Sequence, residues 1–282
     1  MSPLFDFTDY GALLGLVTNS LIAGALLGVV GGLIGFFVMA RDLPFAVHGI
    51  SELSFAGAAG ALLIGVNVVA GSIAGSLLAA VLIALLGARA RERNSVIGVL
   101  MPFGLGLGIL FLALYPGRSA NRFGLLTGQV VSVDTPQVMA LSVVALVVLA
   151  GLLVVWRPLL FASVDEEVAT ARGVPVRSLS LVFMVLLALT VSIAVQTVGA
   201  LLVLALLVTP AAAALRVASG PLAVSLLSML FAVVSIIGGI LLALGAAIPI
   251  SPYVTTISFT IYLVCRLLGH RPRRATVVHS AP

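Results

Sequence analysis

The chain has 282 residues, 62% hydrophobic and 8% charged, with a formal net charge of +5. That balance excludes an ordinary soluble domain, in which about a quarter of the residues are charged, and points to an all-α polytopic membrane protein. Every cationic side chain except histidine is arginine, because the sequence contains no lysine. A P-loop is therefore excluded, since its Gly-Lys-Ser/Thr ending needs lysine to reach the phosphates, and any ATP hydrolysis must fall to another chain.

The opening residues, Met1 to Asp9, carry acids rather than a basic run, so no cleavable signal peptide is expected. Apolar segments of roughly 20 residues, long enough to cross a hydrocarbon core of about 30 Å as helices, follow at 12–40, 45–66, 68–88, 96–115, 136–156, 178–196, 198–217, 222–245 and 251–268. A stretch at 123–133 is too short to span and is expected to be re-entrant or interfacial. Only Gln196-Thr-Val-Gly199 divides the sixth segment from the seventh, and a break or tight turn there decides between eight and nine transmembrane helices. With nine spans and the N-terminus outside, Arg118 and Arg122 face out and the other arginines face the cytoplasm, including the tail Arg271-Pro-Arg-Arg274. The positive-inside rule favours that orientation and count. The arginines thus set topology at span ends rather than marking a nucleic-acid surface.

Gly24, Gly28 and Gly32 repeat at four-residue spacing in the first segment, and Gly71 and Gly75 do so in the third. Small residues at this spacing let helix backbones approach closely in lipid, so these faces are read as packing seams. Gly104, Gly106 and Gly108 lack the strand and helix context of a nucleotide loop and are read as packing or flexibility. Cys265 is alone and can form no internal disulfide.

In Phe45-Ala-Val-His-Gly-Ile-Ser-Glu-Leu-Ser-Phe-Ala-Gly57, His48 and Glu52 stand one helical turn apart inside the second apolar segment. Positions i and i+4 share a helix face, so an imidazole and a carboxylate can converge on one ion. A carboxylate at bilayer depth is costly unless paired or facing water, which makes it a functional candidate. Imidazole with carboxylate suits zinc, manganese, iron or nickel. The alternative is that the two side chains lie at the membrane surface and solvate a helix end. At about 1.5 Å per residue, however, His48 lies roughly 10 Å in from Arg41. Two ligands are too few for a closed zinc site, which takes four, but suit a path that must release its ion. Thr209, before the helix-disrupting Pro210, is a further candidate. Its alternative is a kink whose hydroxyl bonds its own backbone.

The longest polar stretch between spans, about 157–178, reads as a short surface helix. Ser163 or Asp165 caps its start, Asp165, Glu166 and Glu167 complement its N-terminus, Arg172 lies near its end, and Gly173 with Pro175 terminates it. On these features alone it is a solvated connector or a docking site.

Asp165-Glu-Glu-Val-Ala-Thr-Ala-Arg-Gly-Val-Pro175 resembles the cytoplasmic coupling segment of the permease subunits of bacterial zinc/manganese ABC importers. Downstream, Ile193-Ala-Val-Gln-Thr-Val-Gly-Ala-Leu-Leu-Val-Leu-Ala-Leu-Leu-Val-Thr-Pro-Ala-Ala-Ala-Ala-Leu215 resembles the same family's Val-Gly-x-Leu-Leu-Val-x-Ala-Leu-Leu-x-x-Pro-Ala-x-x-Ala run. The family's usual Gly-Asp-Ala-x-Ser-His-x-x-Leu-Pro-Gly segment is altered. Counted back from Gly57, His48 stands at the Asp position and Glu52 at the His position, with Ser51 retained. One imidazole and one carboxylate survive with their places exchanged.

The resemblance implies a single permease domain over 1–282 that provides the path for a divalent transition metal, zinc favoured and manganese next. It implies no bound cofactor and no enzymatic activity of the chain itself. Its implied partners are a second permease copy, cytoplasmic ABC ATPases that use ATP, an extracytoplasmic metal-binding protein and the lipid bilayer of a bacterial cytoplasmic membrane, with no nucleic acid. Asp165, Glu166, Glu167, Ala169, Arg172 and Gly173 are the implied ATPase-coupling residues, and His48 and Glu52 the implied ion ligands. The alternatives are an ion-coupled secondary transporter with Glu52 as proton carrier, and an ABC permease for a metal chelate or vitamin.

Overall fold

The computed structural model describes residues 17–87, 90–117, 133–200, 202–244 and 250–269. The expected re-entrant piece at 123–133, except Val133, the acidic start, Arg89, Arg118, Arg122 and the Arg271–Arg274 tail lie outside the described residues. Among the described residues every regular element is a helix: α1 (Thr18–Ala40), α2 (Pro44–Ile64), α3 (Val68–Leu86), α4 (Ala90–Leu114), α5 (Thr135–Val164), α6 (Glu166–Ala171), α7 (Val176–Val198), α8 (Val203–Leu207), α9 (Thr209–Val217), α10 (Pro221–Leu244) and α11 (Ile250–Leu268). Eight of them are long and apolar enough to cross a membrane.

The remaining apolar segment is broken. Gly199 ends α7 at φ 83°, a conformation that favours glycine. The chain then forms the five-residue α8, breaks at Val208 and restarts as the nine-residue α9 with Pro210 in its first turn, where a missing N–H costs nothing. Direction settles what this segment does. Gly24, Gly28 and Gly32 of α1 meet Ile240, Val233 and Met229 of α10 in turn, so α10 runs antiparallel to α1. Ser180, early in α7, lies beside Arg41 at the end of α1, so α7 and α10 both run away from that face. The segment between them must return. Among the described residues, the layer is therefore crossed by the eight long helices and once by a broken pair, the kind of interruption tolerated at membrane depth only inside protein. Leu206, Leu207, Ala211, Ala213 and Ala214 are accordingly buried.

The glycine seams are close contacts. A Cβ on Gly28 would stand 2.9 Å from the Val233 backbone, and one on Gly32 2.5 Å from that of Met229. Ser228 adds a hydrogen bond of 2.7 Å to the Gly32 carbonyl. Gly71 and Gly75 of α3 likewise press on the carbonyls of Gly57 and Leu53 in α2. Ser54 donates to the Ser72 carbonyl at 3.1 Å, and Ser72 to the Ser192 carbonyl at 3.2 Å, which ties α2, α3 and α7 together through buried hydroxyls. Gly104 and Gly108 of α4 abut Leu53 and Phe55, while nothing lies near Gly106. α2 is thus clamped by α3 and α4 and also touches α7 and α8.

Candidate functional site

α2 begins with Pro44 in its first turn and ends at Gly65, φ 73°, where the Val66 and Gly65 amides bond back to Ala61 and Leu62. This closure leaves one uninterrupted helix, so His48 and Glu52 fall on one face as expected. His48 Nδ1 lies 3.7 Å from Glu52 Oε1. That is too long for a hydrogen bond. Two donors of one tetrahedral ion with bonds of about 2.1 Å stand roughly 3.4 Å apart, so a small further approach lets both bind the same ion. Glu52 is 3% exposed, which disfavours the surface reading, and His48 is partly open. His48 Nδ1 and Glu52 Oε2 are buried without a hydrogen-bond partner, a state that is costly unless something else completes them. Ser51, the retained residue, donates to the His48 carbonyl at 2.8 Å.

No third acid, histidine or cysteine joins the pair among the described residues. Thr209 stands on α9, which packs mainly on α11, α10 and α1 rather than on α2. Further donors to an ion would have to be water, backbone carbonyls or hydroxyls.

The second constellation is α6. Asp165, not Ser163, caps it: the Asp165 carboxylate accepts from the Val168 amide at 2.9 Å, whereas Ser163 lies inside α5 and donates to the Leu159 carbonyl. α5 runs on through Pro158 to Val164, so the first part of the 157–178 stretch is transmembrane helix extended and only 165–175 is connector. At the other end Gly173, φ 81°, and Val174 return their amides to Thr170 and Ala169 at 3.0 Å each, a Schellman closure. Asp165, Glu166, Glu167, Arg172 and Gly173 are exposed, together with Val168. Ala169 points the other way and packs with Ala162, Val174 and Val176. The cap sets α6's rotation so that Ala169, expected among the coupling residues, turns inward and seals the connector against Ala162, Val174 and Val176.

One group escaped the sequence reading. Arg41, taken only as a topology signal, donates to Ser163 and Ser180 and covers the Phe183 ring. Its position one residue past α1 was the only local signal, since the serines lie more than a hundred residues away, Ser163 in the polar stretch and Ser180 in an apolar segment.

The description "ABC 3 transport family" matches residues 14–269. The chain is 30% identical to the manganese transport system membrane protein MntC of Halalkalibacterium halodurans over 241 residues, 85% of this chain and 82% of that protein. It is 27% identical to the high-affinity zinc uptake system membrane protein ZnuB of Buchnera aphidicola, across 88% of this chain and 96% of that one. Among solved structures, PsaBC from Streptococcus pneumoniae in complex with Fab superposes with a TM-score of 0.83 at 26% identity, covering 92% of this chain and 95% of that chain.

Proposed function

Because the chain belongs to the ABC 3 transport family, we propose that it is the membrane-spanning permease subunit of an ATP-driven importer for a divalent transition metal. The observation that carries this reading is the His48–Glu52 pair on a largely buried helix face: His48 Nδ1 and Glu52 Oε2 lack hydrogen-bond partners, and Nδ1 stands from Oε1 at a spacing close to that of two ligands on one ion. The relatives are named for manganese and for zinc, which supports a metal cargo. A borderline-soft ion suits an imidazole nitrogen beside one carboxylate oxygen, so zinc is the favoured cargo and manganese the second.

The ion enters from an extracytoplasmic metal-binding protein and meets neutral His48 and ionised Glu52, since both ligands must be free of protons to bind. Two protein ligands hold it weakly enough for release. Two permease copies in a bacterial cytoplasmic membrane, N-terminus outside and C-terminus inside, supply the path. A separate ATPase docks on the exposed residues of α6, and its closure on ATP moves the helices that flank that connector.

The test is the permease with its ATPase, reconstituted in proteoliposomes and supplied with radiolabelled zinc or manganese. ATP-dependent accumulation of either ion is expected, with zinc preferred in direct competition. Accumulation driven by a proton gradient without ATP would overturn the reading in favour of a secondary transporter.

A further inference from the structure

Arg41 stands where α1 ends, and its side chain reaches both legs from which α6 hangs. One guanidinium nitrogen donates to Ser163 Oγ at 3.4 Å, in the last turn of α5, and another to Ser180 Oγ, early in α7. The guanidinium carbon lies 5.8 Å from the centroid of the Phe183 ring. Burial pushes the Arg41 pKa below its ordinary value, the nearby charge of Glu166 in α6 opposes that, and Arg93 adds to it. A guanidinium stays protonated under such pressure, so a half-buried cation is held by α5, α7 and the charge of α6 at once.

On its other side Arg41 begins a short elbow. The Arg41 and Leu43 amides return to the Phe37 and Val38 carbonyls at 2.9 Å each, and Asp42 between them adopts φ 54°. Pro44 then opens α2 directly. This closed turn has little internal freedom, so a displacement of Arg41 turns the start of α2, on which His48 follows one turn later and Glu52 two. Arg93 of α4 reaches the Asp42 carbonyl at 3.5 Å and steadies the elbow from the opposite flank.

We propose that Arg41 is a positioning residue that ties the two legs of α6 to the α1–α2 elbow, so that movement of α6 reaches the helix carrying His48 and Glu52. This rests on the functional reading above. Arg41 touches no ion. Its fork of donors, shared between two helices, is something a lysine ammonium reproduces only in part.

The experiment measures metal transported per ATP hydrolysed by the reconstituted permease–ATPase complex. Arg41→Gln is expected to assemble with normal ATPase content and to hydrolyse ATP while the transport ratio falls about tenfold, the scale of an ordinary coupling energy between sites. Arg41→Lys is expected to recover part of the ratio. A purely structural role lowers hydrolysis and transport together, so an unchanged ratio in the assembled Arg41→Gln complex overturns the proposal. If that variant does not assemble, Ser163→Ala with Ser180→Ala removes the acceptors and leaves the arginine. There a fall in the ratio of about threefold, within the range of non-contact coupling mutations, supports the link and an unchanged ratio overturns it. A parental complex that shows no ATP-driven uptake of zinc or manganese overturns the functional reading itself, which is a different result.

Discussion

Nδ1 of His48 stands 3.7 Å from Oε1 of Glu52 across one turn of α2, beyond hydrogen-bonding reach but close to the spacing of two ligands on one ion. If the carboxylate binds the cargo, its charge and not its shape matters. Glu52→Gln keeps the shape and is expected to cut ATP-driven metal uptake at least about tenfold, the order of one lost charge-assisted interaction, while ATPase co-purification stays normal. His48→Ala with Glu52→Ala is expected to abolish uptake with assembly intact. Normal uptake by the assembled double variant would sink the ligand assignment.

The exchange of residue types supplies a second test. His48→Asp with Glu52→His keeps one imidazole and one carboxylate at i and i+4 but reverses which lies deeper along α2. Uptake is expected to survive this double change, which neither single change restores to itself, and the ratio of zinc to manganese accumulated is expected to shift. A double variant as inactive as Glu52→Gln would mean that the pair is held by neighbours that fix its order rather than by the ion.

The eight long helices were legible because hydropathy over roughly 20 residues is a lipid requirement written into every position. The segment 198–217 was expected as one span, but its break at Val208 was not, because Leu202 to Val208 is as apolar as any span. Hydropathy does not say where a backbone stops, and only Gly199 and Pro210 marked the place. The ion pair was legible because i and i+4 is local geometry. Arg41 was half legible: its place at a span end is local, but Ser163 and Ser180 lie 122 and 139 residues away in sequence. Ala169 looked like its exposed neighbours because it lies inside the same motif, and its inward direction follows from the Asp165 cap, which the sequence left open between two residues. Thr209 was a candidate because Pro210 beside it disrupts the helix, a local argument that does not say which helices α9 packs on, and these are mainly α11, α10 and α1.

Gly32, in the α1–α10 seam, and Gly106, on an open face of α4, are expected to respond oppositely to a side chain. Gly32→Leu forces side-chain atoms into the Met229 backbone, which cannot retreat as a side-chain end would. Overpacking of this kind costs about 1–3 kcal/mol, and a clear drop in Tm in detergent is expected. Gly106→Ala meets nothing within 4 Å and is expected to leave Tm unchanged or raise it slightly, since alanine gains about 1 kcal/mol in helix propensity. Equal effects of the two changes would refute close backbone packing at the seam.

The elbow predicts a ranking at Asp42, where φ is 54°. Asp42→Gly suits the left-handed region and is expected to be tolerated, the relief of strain being offset by glycine's greater unfolded freedom. Asp42→Val is expected to lower stability by about 1–2 kcal/mol, because a β-branched side chain clashes with the backbone there. Thermal unfolding of the purified permease ranks the three. A valine variant as stable as the parent would contradict the closed turn, and with it the stiffness on which Arg41's leverage depends.

On α6 the two faces separate docking from folding. Glu166, Glu167 and Arg172 are exposed, and of the three Glu166 also acts on the body through its charge near Arg41, so replacing all three with alanine removes charge without opening the packed core. ATPase co-purification is expected to be lost while the Tm of the permease alone stays within about 2 °C, as for surface changes near ±0.5 kcal/mol. Ala169 is fully buried against Ala162, Val174 and Val176, and Ala169→Leu is expected to overpack that small cluster and lower Tm. Gly173→Ala has free space for its Cβ but sits at φ 81°, so its cost of about 1–2 kcal/mol is conformational. That cost falls on the Schellman closure and frays α6 from its end. An exposed-face variant that keeps its ATPase, beside an Ala169→Leu variant that folds normally but loses it, would invert the assignment and place the docking contact on the inner side of the connector.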